Sequence, residues 1–245
     1  MQIDVVGTVN EARSDDFYHK TVIVIDVLRA TSTIATALEH GCAGIIPVET
    51  VSQAVKLQTG EYMLGGERFC KKLAGFDLGN SPLEYTREEL AGKQVILTTT
   101  NGTRALQKSQ KAENILAGSL LNASACAKAA VELKRDIVIL CAGTLDMFSI
   151  EDGLCAGFIV DEIGRLVNEQ IALNDLGIAM RLACAQAKEA MEQILLESAH
   201  GKKLTKLGYR DDVVFCSRIN VFSLVPILKN QLLVPYTSSK SDLRS

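Results

Sequence analysis

Short apolar runs rich in β-branched residues alternate along this chain with longer stretches of helical spacing, and that rhythm limits the fold more than any other feature. Val22-Ile23-Val24-Ile25 is the clearest run. It has no polar face, so a strand made from it needs cover on both sides. A helical stretch from Thr33 to His40 follows and stops at Gly41. Further strands are expected over Ile45 to Val48, Tyr62 to Leu64, Val95 to Thr98, Asn114 to Ala117, Ile137 to Cys141 and Val213 to Cys216. Helices are expected over Ser52 to Gln58, Thr103 to Lys108, Ala123 to Lys134, Glu151 to Val167 and Asp175 to Ala199. Strand-helix-strand order implies a mainly parallel or mixed sheet covered by helices on both faces, a layered α/β/α fold. Residues 1–236 read as one such unit, or as two closely packed halves meeting near 145–149. Residues 237–245 form a polar tail expected to fray.

With 245 residues, 47% hydrophobic and 22% charged, the chain can bury a large core and does not resemble a disordered segment. Its formal net charge of −3 gives no global attraction for nucleic acid, so any anion must be met by a local positive site. Seven cysteines, an odd number with no C-x-x-C pair, argue against a disulfide framework and against a structural zinc site. The start Met1-Gln2-Ile3-Asp4 has no signal-peptide pattern, and no apolar stretch reaches membrane length. A cytoplasmic protein is expected, without membrane or nucleic-acid partners. Nothing in the pattern specifies an oligomeric state.

In sheets of this kind, ligands gather beyond the carboxyl ends of the strands, where helix starts present free N–H groups. Four strand-to-helix junctions are unusually polar. In Asp26-Val27-Leu28-Arg29-Ala30-Thr31-Ser32-Thr33, an acid ends a buried strand, an arginine follows and hydroxyls open a helix. Arginine grips phosphate through paired hydrogen bonds, and a helix start adds positive dipole. The same residues also suit an ordinary Asp26–Arg29 ion pair with Thr31 or Ser32 as N-cap.

The second junction joins Gly65-Gly66-Glu67-Arg68 to Gly75-Phe76-Asp77-Leu78-Gly79-Asn80-Ser81-Pro82. Glu67 is a hard-metal ligand type, while Ser81-Pro82-Leu83-Glu84 reads equally as a capping box. The third, Thr98-Thr99-Thr100-Asn101-Gly102-Thr103, sets hydroxyls, an amide and a glycine at a strand end, a natural oxyanion cradle. The fourth runs from Cys141-Ala142-Gly143-Thr144 to Ser149-Ile150-Glu151-Asp152 at the start of an apolar helix. Its paired acids suit either the helix dipole or a magnesium ion. Later, Arg210-Asp211-Asp212 precedes the last expected strand. The three histidines lie in none of these junctions, and no Walker or dinucleotide-binding glycine pattern occurs.

Taken in order, these junctions resemble the 2-phosphosulfolactate phosphatase (ComB-like) family almost end to end. The matching blocks are Val-Ile-Asp26-Val-Leu-Arg29-Ala-Thr31-Ser32-Thr33, Gly66-Glu67-Arg68, Gly75-Phe-Asp-Leu-Gly79-Asn80-Ser81-Pro82, Thr98-Thr-Thr-Asn101-Gly102-Thr103 and Ser149-Ile-Glu151-Asp152 with Cys155-Ala-Gly157. Gly201-Lys202-Lys203-Leu204 resembles a basic stretch of that family less closely. The resemblance implies an α/β/α fold. It also implies magnesium-dependent hydrolysis of 2-phosphosulfolactate, or a related small anionic phosphomonoester, in a route toward coenzyme M. With the residue reading it leads to the expectation that Mg2+ lies among Asp26, Glu67 and Glu151 or Asp152. Asp26 and Arg29 would be catalytic, and Arg29, Thr31, Ser32, Arg68, Asn80, Ser81, Thr98, Asn101, Gly102 and Thr103 would hold substrate. The rival readings are a non-catalytic binding protein for phosphorylated metabolites, and a phosphotransferase or lyase acting on a phospho-hydroxy acid.

Overall fold

The computed structural model describes residues 1–167 and 169–238. Residues 239–245 of the expected polar tail lie outside them. The strands are β1 (Gln2–Val6), β2 (Thr21–Ile25), β3 (Gly44–Val48), β4 (Tyr62–Arg68), β5 (Lys71–Lys72), β6 (Gln94–Thr98), β7 (Asn114–Gly118), β8 (Ile137–Cys141), β9 (Ala172–Leu173), β10 (Pro226–Lys229) and β11 (Leu232–Pro235). They form one sheet in the order β5-β4-β6-β3-β11-β10-β7-β2-β8-β1-β9.

This sheet is two parallel blocks joined by a wedge. In one block β4 and β3 flank β6; in the other β7, β2, β8, β1 and β9 run side by side, all pairs parallel. The hairpin β10–β11 lies between the blocks and pairs antiparallel with β7 and β3. Its turn residues Asn230 and Gln231 have φ of 49° and 66°, the positive values that a two-residue hairpin of the favoured twist requires. Because β9, β10 and β11 follow residues 145–149 in sequence, the sheet is continuous across that loop.

The helices are α1 (Ala30–Glu39), α2 (Val51–Leu57), α3 (Gly102–Lys108), α4 (Ala123–Glu132), α5 (Ile150–Leu166), α6 (Asp175–Ala187), α7 (Met191–Glu197), α8 (Ala199–Lys206) and α9 (Arg210–Cys216). The pleat of β2 shows how they divide. Ile23 and Ile25 pack into the core beneath α4, α5 and α9, while Val22 and Val24 pack toward α1 and α3 on the opposite face. All five β2 residues are buried, as their lack of a polar face demands.

Two expected elements differ. Val213 to Cys216 is the end of helix α9, not a strand. Asp211 and Asp212 favour a helix start, and Val213 and Cys216, three apart, bury one helical face. A four-residue apolar run carries no period that tells the two apart. The single helix expected over Asp175 to Ala199 is instead α6, a 3-10 turn, α7 and the start of α8. It stops at Ser198, whose extended backbone (ψ 158°) lets its side chain accept the Gly201 N–H and cap α8. That break turns α8 back toward the carboxyl ends of the strands.

Candidate active site

Loops leaving β2, β4, β6 and β8 converge on one cleft. Asp26, Arg29, Glu67, Asn80, Thr100 and Asn101 line it, with Phe69, Cys70, Thr144, Leu145, His200 and Lys203. In the sheet four strands separate β6 from β2, yet Gly102 at the start of α3 touches Asp26 beyond the end of β2. A Cβ on Gly102 would stand 2.5 Å from the Ala30 Cβ and 2.7 Å from Asp26 Oδ2, so only glycine allows this approach. The cleft measures about 40 Å³, far below a nucleotide-sized pocket, and suits a compact group such as phosphate.

Asp26 is buried, and Ala30 N–H donates to its Oδ1 at 3.2 Å. Burial, reinforced by Glu67 and Glu151, pushes its pKa up to about 7 against the hydrogen bonds from the Ala30 and Gly102 backbone. Glu67 links two loops. Its Oε1 accepts from Thr100 N–H and Oγ1 at 2.8 Å each, and its Oε2 accepts from Cys70 N–H at 2.6 Å. Glu151 is raised by burial, opposed by its own N–H and the Ser198 hydroxyl.

Arg29 does not pair with Asp26. Its Nη1 donates to Asp212 Oδ2 at 2.6 Å, its Nη2 donates to the Cys70 carbonyl at 3.2 Å, and the guanidinium lies 4.3 Å from the Tyr209 ring centre. The ordinary Asp26–Arg29 pair is thus replaced by a partner from α9.

Several expected binding hydroxyls serve the backbone. Thr31 lies inside α1 and not at its cap; its Oγ1 donates to the Asp26 carbonyl at 2.8 Å and accepts from Asp26 N–H at 2.9 Å. Ser32 Oγ donates to the Val27 carbonyl at 2.8 Å, and Thr103 Oγ1 to the Thr99 carbonyl at 3.0 Å. Ser81 makes no capping bond; its hydroxyl donates to Asp212 Oδ1 at 2.7 Å. Arg68 does not line the cleft. Its fork goes to the Glu67 carbonyl at 2.6 Å, the Glu49 carbonyl at 3.0 Å and Thr98 Oγ1 at 2.9 Å. Nor does Asp152 line it. Its two oxygens accept from Val27 N–H at 2.9 Å and Gly143 N–H at 3.0 Å, lacing the β2 and β8 loops together.

The structure adds His200, which stands outside every polar junction, and brings in Lys203 of the basic stretch Gly201 to Leu204. His200 and Lys203, three apart on α8, both line the cleft. Burial, with Lys203 and Arg29 nearby, lowers the His200 pKa to about 4, outweighing a hydrogen bond to the Leu28 carbonyl. The His200 Nδ1 and the Asn80 Oδ1 are buried without hydrogen-bond partners. The i, i+3 spacing of His200 and Lys203 was visible, but nothing local says which way α8 faces.

Among the described residues, no three His, Cys, Asp or Glu side chains stand close enough to enclose a metal by themselves. Magnesium seldom needs such a cage, taking one or two carboxylates with water and phosphate oxygens. A carboxylate has about four lone-pair sites, so Asp26 and Glu67 keep acceptor capacity beyond the bonds above. The unpartnered Asn80 Oδ1 is a further hard oxygen in the same cleft. This donor set fits Mg2+ at Asp26 and Glu67.

A family model described as 2-phosphosulpholactate phosphatase matches residues 7–231. A protein from Clostridium novyi (strain NT) named probable 2-phosphosulfolactate phosphatase is 39% identical over 229 residues, 92% of this chain and 96% of its own. Another of that name from Thermotoga petrophila is 44% identical over 218 residues, 88% and 92% of the two chains. A third, from Clostridium tetani, is 37% identical over 236 residues, 95% and 100%.

Proposed function

The chain belongs to the 2-phosphosulpholactate phosphatase family, and on that premise we infer that it is a phosphoric monoester hydrolase. Its substrate is 2-phosphosulfolactate or a small anionic phosphomonoester of the same build, released as sulfolactate, or the matching hydroxy acid, and phosphate. The observation that carries this reading is the meeting of two carboxylates, Asp26 and Glu67, with the cations Arg29 and Lys203 in one small cleft.

Asp26 and Glu67 would hold Mg2+, with Glu151 behind them. When bound, such an ion polarises a phosphoryl oxygen and makes a bound water more acidic. Arg29, pre-aimed by Asp212, faces the phosphate with what remains of its fork. Lys203 adds a point charge for a second acid group of the substrate. His200 enters the cleft wall as a neutral ring and so adds no charge there. Phe69 and Leu145 on the rim reduce water access.

Seven cysteines, all free and buried, suit a reducing cytoplasm, and no helix among the described residues is long and apolar enough to cross a membrane. The test is phosphate release from 2-phosphosulfolactate with Mg2+ and with a chelator. Release that a chelator abolishes supports the reading. Full activity in excess chelator removes the metal, and no release from any short 2-phospho-hydroxy acid removes the hydrolase.

A further inference from the structure

A second chamber of about 440 Å³ adjoins the cleft. Its walls include Leu145, Met147, Phe148, Ile150 and Ala199, with Glu151 at one side. Thr144, Leu145, His200 and Lys203 line both spaces, so a molecule seated in the cleft extends directly into the chamber.

The apolar wall is built, not incidental. Thr144 and Met147 exchange backbone hydrogen bonds at 2.9 and 3.0 Å, enclosing Leu145 and Asp146 at φ of 52° and 62°. Such a turn ordinarily takes Asn and Gly, because a bulky side chain at positive φ is strained. Here leucine occupies it and is 65% exposed, beside Met147 at 69%. The turn is held from two sides. Arg104 donates to Asp146 Oδ1 at 2.9 Å, and the Phe148 ring lies so close to α5 that a Cβ on Gly153 would stand 2.4 Å from it. A strained, exposed leucine held at the mouth of a polar cleft points to an apolar ligand group, since strain kept at a site tends to serve that site. A three-carbon acid carrying phosphate, carboxylate and sulfonate offers this wall no apolar surface.

We propose that the substrates of this chain include 2-phospho-hydroxy acids whose third carbon bears an alkyl or aryl group, which lies in the chamber while phosphate and carboxylate occupy the cleft. This rests on the phosphatase reading above. The cleft supplies the charge recognition that all such acids share, and the chamber sets which side chain is preferred.

The experiment compares kcat/KM, with Mg2+, for 2-phospholactate, phosphorylated 2-hydroxy-4-methylpentanoate and phosphorylated 3-phenyllactate. Each buried methylene should raise kcat/KM by about fourfold. Met147→Ser, at a position that lines the chamber alone, should cut the gain for the phenyl substrate and leave 2-phospholactate unchanged. A flat or falling series with 2-phospholactate still hydrolysed overturns the chamber's role and leaves the phosphatase reading intact. If no member is hydrolysed but 2-phosphosulfolactate is, the chamber's role is overturned and the phosphatase reading stands. If 2-phosphosulfolactate is not hydrolysed either, the phosphatase reading fails, and calorimetric binding of the same three compounds decides the chamber. Tighter binding of the phenyl compound, lost in Met147→Ser, supports it; equal binding overturns it.

Discussion

Asp212 holds the guanidinium of Arg29 at 2.6 Å across 183 positions of sequence, with the two side chains 4% and 3% exposed. The same carboxylate receives the Ser81 hydroxyl, so α9, the β2 loop and the segment before Pro82 meet at one buried charge. A buried ion pair adds little net stability over an apolar substitute, but breaking one is costly because the survivor stays buried and unpaired. This pair therefore aims Arg29 at the cleft more than it holds the fold together.

Removing one partner should show it. Asp212→Asn is expected to destabilise the protein by about 3–5 kcal/mol, read from urea melts. Replacing both residues, Arg29→Met with Asp212→Leu, should recover most of that stability while leaving phosphate release near background. Recovered turnover in the double variant would show that the reaction does not use Arg29.

Arg29→Lys keeps the charge and loses the fork, so one ammonium cannot reproduce the bonds to Asp212 and the Cys70 carbonyl together. We expect kcat/KM to fall by about tenfold or more, roughly 1.4 kcal/mol. An unchanged value would leave Arg29 a purely structural role.

Asp26 carries a pH signature. Its folded pKa of about 7 stands above the unfolded carboxylate value of about 4, so between these the folded state holds more protons. Stability of the metal-free protein should therefore fall as pH rises from 4 to 7 and stay low above. Asp26→Asn removes this loss and should melt higher than wild type at pH 8 in chelator. Added Mg2+ should raise the wild-type melting point and leave the variant nearly unmoved. A variant with an undiminished magnesium shift and full activity would take Asp26 out of the site.

Much of this was legible locally. The β2 run, the acid at its end and the threonine-rich loop after β6 each announce themselves within ten residues, and each stands at the cleft or borders it. What stayed hidden depends on direction and distance. Asp212 looked like the lead-in to a strand, because Val213 to Cys216 has no helical period of its own. Ser81 matched a capping box, yet its hydroxyl found a stronger acceptor in a carboxylate 131 positions away. Asp152 suits either the helix dipole or a metal ion by residue type, which says nothing about the N–H groups that the fold brings to it. His200 lies in none of the polar junctions, and only the helix break at Ser198 turns α8 toward the cleft.

The Asp152 contacts give a test that separates lacing from metal binding. Asp152→Ala strands the Val27 and Gly143 N–H groups in a buried place, at about 1–3 kcal/mol each. A lower urea midpoint is expected, together with an unchanged Mg2+ concentration for half-maximal rate. A tenfold rise in that concentration would make Asp152 a ligand after all.

His200 should be a weak base. Burial disfavours its cation, and Lys203 and Arg29 oppose it further, placing the folded pKa at about 4 against about 6.5 in the unfolded chain. Between these values the unfolded chain binds the extra proton, so stability rises with pH. The contribution is complete above pH 6.5 and is lost as pH falls toward 4, by at most about 3 kcal/mol at 1.36 kcal/mol per pH unit. Melting points of wild type and His200→Gln should thus run parallel from pH 7 to 8, with wild type losing ground below pH 6.5. Proton NMR of the imidazole C2–H gives the second, independent reading. A titration midpoint near 4 places the ring against Lys203 and Arg29 as described, and a midpoint near 6.5 would mean that the ring faces water and contributes nothing to the cleft.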